Sequence, residues 1–271
     1  MAVSRRAPVD IEGMFTVAGH EIYLSCSGGP GPTVIFEAAG GEDHMSFLPI
    51  AQRIRNRAYA CVYDRTGVGR STKPMPAVAA RDHVAELHEL LELAGVPRPA
   101  VVVGHSYGGI VALMETVEHP EDVAGLILID SSHPAQRERV NAVMTEAQVE
   151  LEREWYDQLA EILDLPASLQ QAAAEYGPLP AIPLTVITAT KVDADDGLPA
   201  DFPREAIKAV WLELQVEHAR LRPDARHVKA ATGHYVHVDD PDLVVDEIIH
   251  MLQPLASPRW QPAQARPRGD A

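Results

Sequence analysis

The sequence has few cysteines, few aromatic residues and no long hydrophobic run. Its 271 residues include 2 cysteines, and 5% are aromatic. Cys26 and Cys61 are too few for a disulfide scaffold and are not spaced as a metal-binding pair. We expect both thiols to be reduced and packed, with a single bridge left open as the alternative. No segment approaches the ~20 apolar residues of a membrane-spanning helix, and MAVSRRAPVDIEGMF lacks the apolar run of a secretory signal. These absences predict a cytoplasmic protein.

Basic residues are also scarce relative to acidic ones. The chain carries 23 Lys and Arg against 39 Asp and Glu, a formal net charge of -16. Such a field repels polyanions, so nucleic acid and anionic membrane surfaces are excluded as expected partners. With 46% hydrophobic residues, the chain can still bury a sizeable core. We therefore expect a globular protein that binds a small molecule, and nothing in the sequence indicates an oligomeric state.

Short β-rich segments alternate with longer helical ones, a pattern typical of an α/β fold with a mostly parallel sheet covered by helices on both faces. The runs VVVGH and LILID are apolar without alternation, as in strands that are buried on both sides. Eight strands are predicted, at 13–18, 21–25, 33–37, 58–63, 100–104, 125–130, 184–190 and 226–231. Helices are predicted at 79–94, 106–118, 203–221 and 241–252.

One segment departs from this alternation. Residues 134–176 contain no strand signal, and apolar residues recur every three or four positions from Val140 to Ile162, which predicts one long amphipathic helix. Leu165-Pro166 should separate it from a second, shorter helix. We interpret 134–176 as a helical lid inserted into a core formed by 10–133 and 177–253. The Pro- and Arg-rich stretch 254–271 is predicted to be a disordered tail.

The most specific motif is VVVGHSYGG, residues 101–109. An apolar strand runs into Gly104-His105-Ser106-Tyr107-Gly108 and then into a helix. A serine hydroxyl is a weak nucleophile, so it must be held on a sharp turn where a base can reach it. The flanking glycines leave room for that turn, and the helix N-terminus places amides beneath an oxyanion. Ser106 is therefore the candidate nucleophile.

With this motif the chain resembles the α/β-hydrolase family, in its small, cofactor-free form with a helical lid. The resemblance implies the order nucleophile, acid, histidine along the chain. It also implies two oxyanion donors, the amide of Tyr107 and that of Gly40, which follows Ala38-Ala39 where the family usually has His-Gly. In YDRTGVGRS, residues 63–71, we interpret the glycines as turn residues and Asp64 and Arg65 as structural.

A late histidine must supply the general base. In ATGHYVHVDDPDLVVDEI a strand, a loop and an amphipathic helix follow one another, and His234 resembles the catalytic histidine of the family. His237 is interpreted as a loop histidine near the pocket. The two form an HxxH pair, but without a third ligand no metal site is predicted, and no cofactor is expected.

The acid has two candidates, because the family uses either of two strand ends. Asp130 directly ends LILID, whereas Asp193 follows TVITATKV without the usual glycine. The acid must orient the histidine and stabilise its protonated form. We favour Asp130 and keep Asp193 as the alternative.

The sequence thus predicts a serine hydrolase of carboxylic esters or lactones with a small, largely apolar substrate. Met144, Leu151 and Trp155, on the apolar stripe of the insert, are predicted to line the substrate pocket. The alternative is a ligand-sensing or non-hydrolytic member of the same fold in a secondary-metabolic pathway, since fold and triad do not separate these activities.

Overall fold

The structure is a computed structural model, and it describes residues 8–73, 76–192 and 198–255. Within these residues the backbone forms an eight-stranded sheet in the order β1-β2-β4-β3-β5-β6-β7-β8. The strands are β1 Ile11–Val17, β2 His20–Gly28, β3 Thr33–Glu37, β4 Tyr59–Tyr63, β5 Ala100–His105, β6 Val123–Ile129, β7 Leu184–Ala189 and β8 Arg226–Ala230. The predicted eight strands are confirmed.

The sheet is mostly parallel. Strand β2 pairs antiparallel with both β1 and β4, and every other pairing, from β4 through β3 to β8, is parallel. The carboxyl ends of the parallel strands therefore meet at one edge, which is where open α/β sheets place their ligand sites. The predicted α/β-hydrolase fold class is confirmed.

Helices cover both faces of the sheet. They are α1 Leu48–Ile54, α2 Ala80–Leu93, α3 Tyr107–Glu118, α4 Gln136–Asn141, α5 Glu146–Asp157, α6 Leu165–Glu175, α7 Arg204–Arg220, α8 Val236–Asp239 and α9 Pro241–Leu255. The four predicted helices correspond to α2, α3, α7 and α9. Sequence analysis missed α1, although Ile50, Ala51 and Ile54 give it a buried face at helical spacing.

Residues 100–104 of β5 are all apolar because both faces of this strand are buried. Val101 and Val103 pack on one face of the sheet, in the same cluster as Ile50 of α1 and Ile248 of α9. Val102 points to the other face, where α3 packs. Successive side chains of a strand alternate between faces, so a strand covered on both sides needs no polar residues.

The insert differs from the prediction of one long helix, which is wrong. The chain breaks after α4 and begins α5 anew, because Thr145 and Gln148 form a capping box. The backbone N–H of Gln148 donates to Thr145 Oγ1 at 3.4 Å. In return, the backbone N–H of Thr145 donates to Gln148 Oε1 at 2.9 Å. The shorter second helix is present as α6, which has Pro166 in its first turn and Asp164 as N-cap.

Cys26 and Cys61 form a disulfide between β2 and β4. They are directly opposed in the antiparallel pairing of these strands, with Cα atoms 4.0 Å apart. The expectation of two reduced thiols is therefore wrong.

No helix among the described residues combines the length and the apolar character needed to cross a bilayer. Pro254 and Leu255 belong to α9, and residues 256–271 of the predicted tail lie outside the described residues.

Candidate active site

Ser106 lies on the tight turn that joins β5 to α3. Its backbone has φ 52° and ψ −122°, a region that residues other than glycine rarely adopt and that costs about 1–3 kcal/mol. Backbone hydrogen bonds hold this turn. The Ser106 carbonyl accepts from the amides of Gly109 at 3.0 Å and Ser132 at 2.9 Å, and its own amide donates to the Ile129 carbonyl at 3.2 Å. The half-buried serine thus stands at the N-terminus of α3.

The glycines on either side are required by close backbone contacts. A Cβ at Gly104 would lie 2.5 Å from the Gly108 carbonyl oxygen. A Cβ at Gly108 would lie 2.3 Å from the carbonyl oxygens of both Glu37 and Ala38. These separations are far below van der Waals contact, so any side chain would push the turn away from the loop after β3.

That loop brings Gly40 beside Tyr107. A Cβ on Gly40 would lie 3.6 Å from Tyr107 Cβ, so the two residues named as oxyanion donors are neighbours. The buried Arg65 guanidinium fixes the loop, because its Nη1 donates to the Ala38 carbonyl at 2.8 Å and its Nη2 donates to the Ala39 carbonyl. The side chain of Arg65 thus has the structural role expected of it.

His234 and Asp130 are hydrogen-bonded. His234 Nδ1 lies 2.7 Å from Asp130 Oδ2, and Asp130 is 1% exposed. The other carboxylate oxygen, Oδ1, accepts the Ala189 amide at 3.0 Å, while the Asp130 amide donates to the Ile187 carbonyl at 2.7 Å. The aspartate is therefore clamped at the carboxyl end of β6. The alternative acid, Asp193, lies outside the described residues.

A second group of polar side chains lies beside this pair, and of its members the sequence indicates only His237. His105 Nε2 lies 3.0 Å from the His234 carbonyl oxygen, and the two rings are 4.7 Å apart. His237 Nε2 lies 2.9 Å from Ser46 Oγ, which donates to Glu42 Oε2 at 2.7 Å. Burial lowers the pKa of His105 and lowers that of His237 to about 3. Burial alone would raise the pKa of Glu42, but contacts with His105 and Ser46 lower it to about 2.

A small cavity lies between the insert and α7. It measures about 80 Å³, and the Trp211 ring in its wall is 5.9 Å from the His234 ring. The lining comes from the insert and from α7: Gln136, Arg137, Val140, Glu152, Tyr156, Leu165, Leu169, Ile207 and Trp211. Met144 and Leu151, predicted to line a pocket, are half-buried and not in this wall. The side chain of Trp155 lies outside the described part of the structure.

The model of the "Alpha/beta hydrolase family" matches residues 26–247 of this chain, which include every described element from β3 to α8. The chain belongs to the alpha/beta hydrolase family. The match covers both strands that carry the Ser106 turn and Asp130, and the loop that carries His234.

Individual proteins that match this chain share about a quarter of its residues over the aligned segments. Lipase 1 of Psychrobacter immobilis is 27% identical over 130 residues, which are 47% of this chain and 40% of the lipase. The 2-(acetamidomethylene)succinate hydrolase of Mesorhizobium japonicum is 24% identical over 83% of this chain and 89% of that enzyme. Several curated relatives, the lipase included, are matched over less than half of their own length.

Solved structures share the architecture. The enol-lactonase from Burkholderia xenovorans LB400 superposes with a TM-score of 0.61 at 16% identity, over 89% of this chain and 99% of that one. At this identity the likeness shows the fold alone. The enol-lactonase therefore has the same overall fold as this chain.

Proposed function

We propose that this protein is a serine hydrolase of carboxylic esters or lactones. The observation that carries the proposal is the combination of a strained serine turn with the hydrogen-bonded pair of His234 and Asp130. Strain at a non-glycine residue persists only where the surrounding structure enforces it, and it is concentrated at functional sites. Ser106 meets this description and stands at the sheet edge to which His234 and Asp130 also belong.

Each residue then has one chemical task. Ser106 attacks the substrate carbonyl while His234 takes its proton, and His234 later gives that proton to the leaving alcohol. Asp130 holds the His234 ring in one tautomer and stabilises its protonated form. The amides of Gly40 and Tyr107 donate to the oxyanion, which is stabilised further by the N-terminus of α3. Water then hydrolyses the acyl-enzyme by the same steps.

Apolar side chains of the insert lie next to the proposed oxyanion site, which favours an apolar substrate. Leu159 and Leu163 lie over Gly40, since a Cβ there would meet their side chains at 3.7 and 3.1 Å. Ile162 lies over Gly67 in the same way, at 3.2 Å. We propose that 134–176 acts as the lid whose apolar side covers the acyl site. A net charge of -16 disfavours polyanionic substrates in addition.

This substrate class gives a graded expectation. Each methylene buried under the lid should stabilise the transition state by up to about 0.8 kcal/mol, which raises kcat/KM roughly fourfold, until the site is full. We expect kcat/KM to rise from acetyl to medium-chain p-nitrophenyl esters. In Trp155→Ala this dependence on chain length should become flatter, while the Tm stays close to that of the unchanged protein. A flat profile in the unchanged protein would contradict an apolar acyl site.

The direct test is a panel of esters, lactones and thioesters with the Ser106→Ala variant. Turnover should fall to at most the residual ~10³–10⁴-fold over water that an oxyanion hole and binding provide. Ser27→Ala is a matched control, because Ser27 pairs with Ala60 near the start of β4, at the opposite edge of the sheet. Near-native turnover in Ser106→Ala would refute the mechanism.

A further inference from the structure

Three side chains of metal-binding type lie together beside the proposed base, and the proposed mechanism uses none of them. One ring nitrogen of His105, one of His237 and one carboxylate oxygen of Glu42 lie within 4.8 Å of one another. They come from the end of β5, from α8 and from the loop after β3. The sequence predicts no metal at the HxxH pair of His234 and His237, and only His237 of that pair belongs to this group. The fold supplies Glu42 and His105 from distant positions.

The hydrogen bonds fix which nitrogen of each ring carries a proton. The partner of His105 Nε2 is the His234 carbonyl, which can only accept, so His105 Nδ1 presents a lone pair. Ser46 Oγ uses its proton toward Glu42, so it accepts from His237 Nε2. His237 Nδ1 therefore also presents a lone pair.

Both of these nitrogens are buried and make no hydrogen bond. Among the described residues neither His105 Nδ1 nor His237 Nδ1 has a hydrogen bond, although the residues are only 0% and 3% exposed. Leaving a buried polar group without a hydrogen bond is unfavourable. A cation bound between the three side chains would take up the His105 Nδ1 lone pair, which lies 3.9 Å from Glu42 Oε2.

We propose that Glu42, His105 and His237 bind a divalent transition-metal ion of the Zn²⁺ type. Two imidazoles and one carboxylate are a zinc ligand set, which leaves a fourth position open. His105 Nδ1 and Glu42 Oε2 are 3.9 Å apart, and ligands of tetrahedral zinc are about 3.4 Å apart, since each bond is about 2.1 Å. All three ligand atoms lie within 4.8 Å of one another, so side-chain movements of up to about 1.4 Å per pair would bring them to this spacing.

The surroundings match those of metal-ligating histidines. Such histidines usually donate their second ring N–H to a carbonyl or another polar group, which fixes the ring orientation. His105 does so to the His234 carbonyl and His237 does so to Ser46. Glu42 keeps its side chain 25% exposed, which provides a path for the ion.

A second acid–histidine group, Asp43, His44 and Asp64, provides a contrast. There Asp64 Oδ1 accepts from both the backbone amide and Nδ1 of His44, each at 2.7 Å. Asp43 Oδ1 accepts the Met45 amide at 2.9 Å. Here the histidine nitrogen that faces the acid is already hydrogen-bonded to it, unlike His105 Nδ1 and His237 Nδ1, and we propose no metal at this group.

Occupancy should inhibit the hydrolase, a consequence that rests on the proposed function. The His105 and His234 rings are 4.7 Å apart, so a bound dication would oppose the positive charge that His234 gains when it takes the serine proton. The binding of the metal itself does not depend on this step.

The test measures binding without substrate. Full-length protein stripped with a chelator is titrated with Zn²⁺ against a chromophoric chelator, and with Co²⁺ by visible absorption. We expect one ion per chain, at least tenfold weaker binding in His237→Gln and Glu42→Gln, and a 10–100-fold loss in Ser46→Ala. His250→Gln, an exposed histidine of α9, is the matched control and should bind like the unchanged protein.

Two results would overturn the site: no stoichiometric binding, or the same affinity in all variants. Should His237→Gln fail to fold, Glu42→Gln carries the test, because it is a conservative change on a partly exposed residue. If Zn²⁺ binds at this site but the protein hydrolyses no ester or lactone, the site stands and the proposed function fails. If esters are hydrolysed but no metal binds, only the site is rejected.

Discussion

Replacing Asp130 by asparagine tests the proposed acid, because the structure dictates how the new amide must sit. Asp130 Oδ1 accepts the Ala189 amide, so the asparagine must keep its oxygen there. Its NH₂ group then faces His234 Nδ1, at the position of the present 2.7 Å hydrogen bond. Two donors cannot face one another, so Nδ1 must become the acceptor and Nε2 must carry the proton. His234 then has no lone pair for the Ser106 proton.

We expect Asp130→Asn to lower kcat by a factor on the order of 10⁴, about 5 kcal/mol in activation free energy, as a wrong imidazole tautomer does in other triads. The assay is steady-state hydrolysis of a p-nitrophenyl ester, with Tm measured to confirm folding. Asp246→Asn, an exposed residue of α9, is the control. Asp193→Asn should cost less than tenfold. A kcat within tenfold of the unchanged protein in Asp130→Asn, with a large loss in Asp193→Asn, would move the acid to Asp193.

Two stability predictions follow from the packing. Gly108→Ala should lower the free energy of unfolding by about 3 kcal/mol or more, since its Cβ meets two backbone carbonyl oxygens at 2.3 Å, whereas Gly13→Ala, with nothing within 4 Å, should be nearly neutral in urea unfolding. Burial lowers the pKa of His218 to about 3. Below pH ~6.5 the unfolded chain binds a proton there that the folded chain does not, so this histidine alone should lower the free energy of unfolding by about 2 kcal/mol at pH 5. Denaturant unfolding at pH 7 and pH 5 should show a smaller loss in His218→Gln, and an equal loss would contradict this assignment.

Most of the fold could be predicted because its signals are local. Residues 100–104 of β5, which are covered on both faces, are all apolar, and the turn at Ser106 needs the nearby glycines Gly104 and Gly108. The break in the insert also has a local cause. Thr145 and Gln148 form a capping box that ends the amphipathic period there, and both residues of this motif stand in the local sequence.

The remaining features depend on contacts between distant segments. The Cys26–Cys61 bond requires the register of β2 against β4, which no spacing rule provides. The choice of Asp130 over Asp193 depends on which strand end faces the His234 loop. Likewise, His105 and Glu42 come close to His237 only when the loop after β3, the end of β5 and α8 meet in the fold, and no local spacing in the sequence indicates this.

The central claim is that Ser106 is the nucleophile, and active-site labelling measures this most directly. The full-length protein is treated with a fluorophosphonate, and intact mass and peptide mapping locate the adduct while residual esterase activity is followed. We expect one adduct per chain, on Ser106, with activity lost in proportion and no adduct in Ser106→Ala. An unlabelled protein that still hydrolyses esters, or equal labelling in Ser106→Ala, would contradict the account.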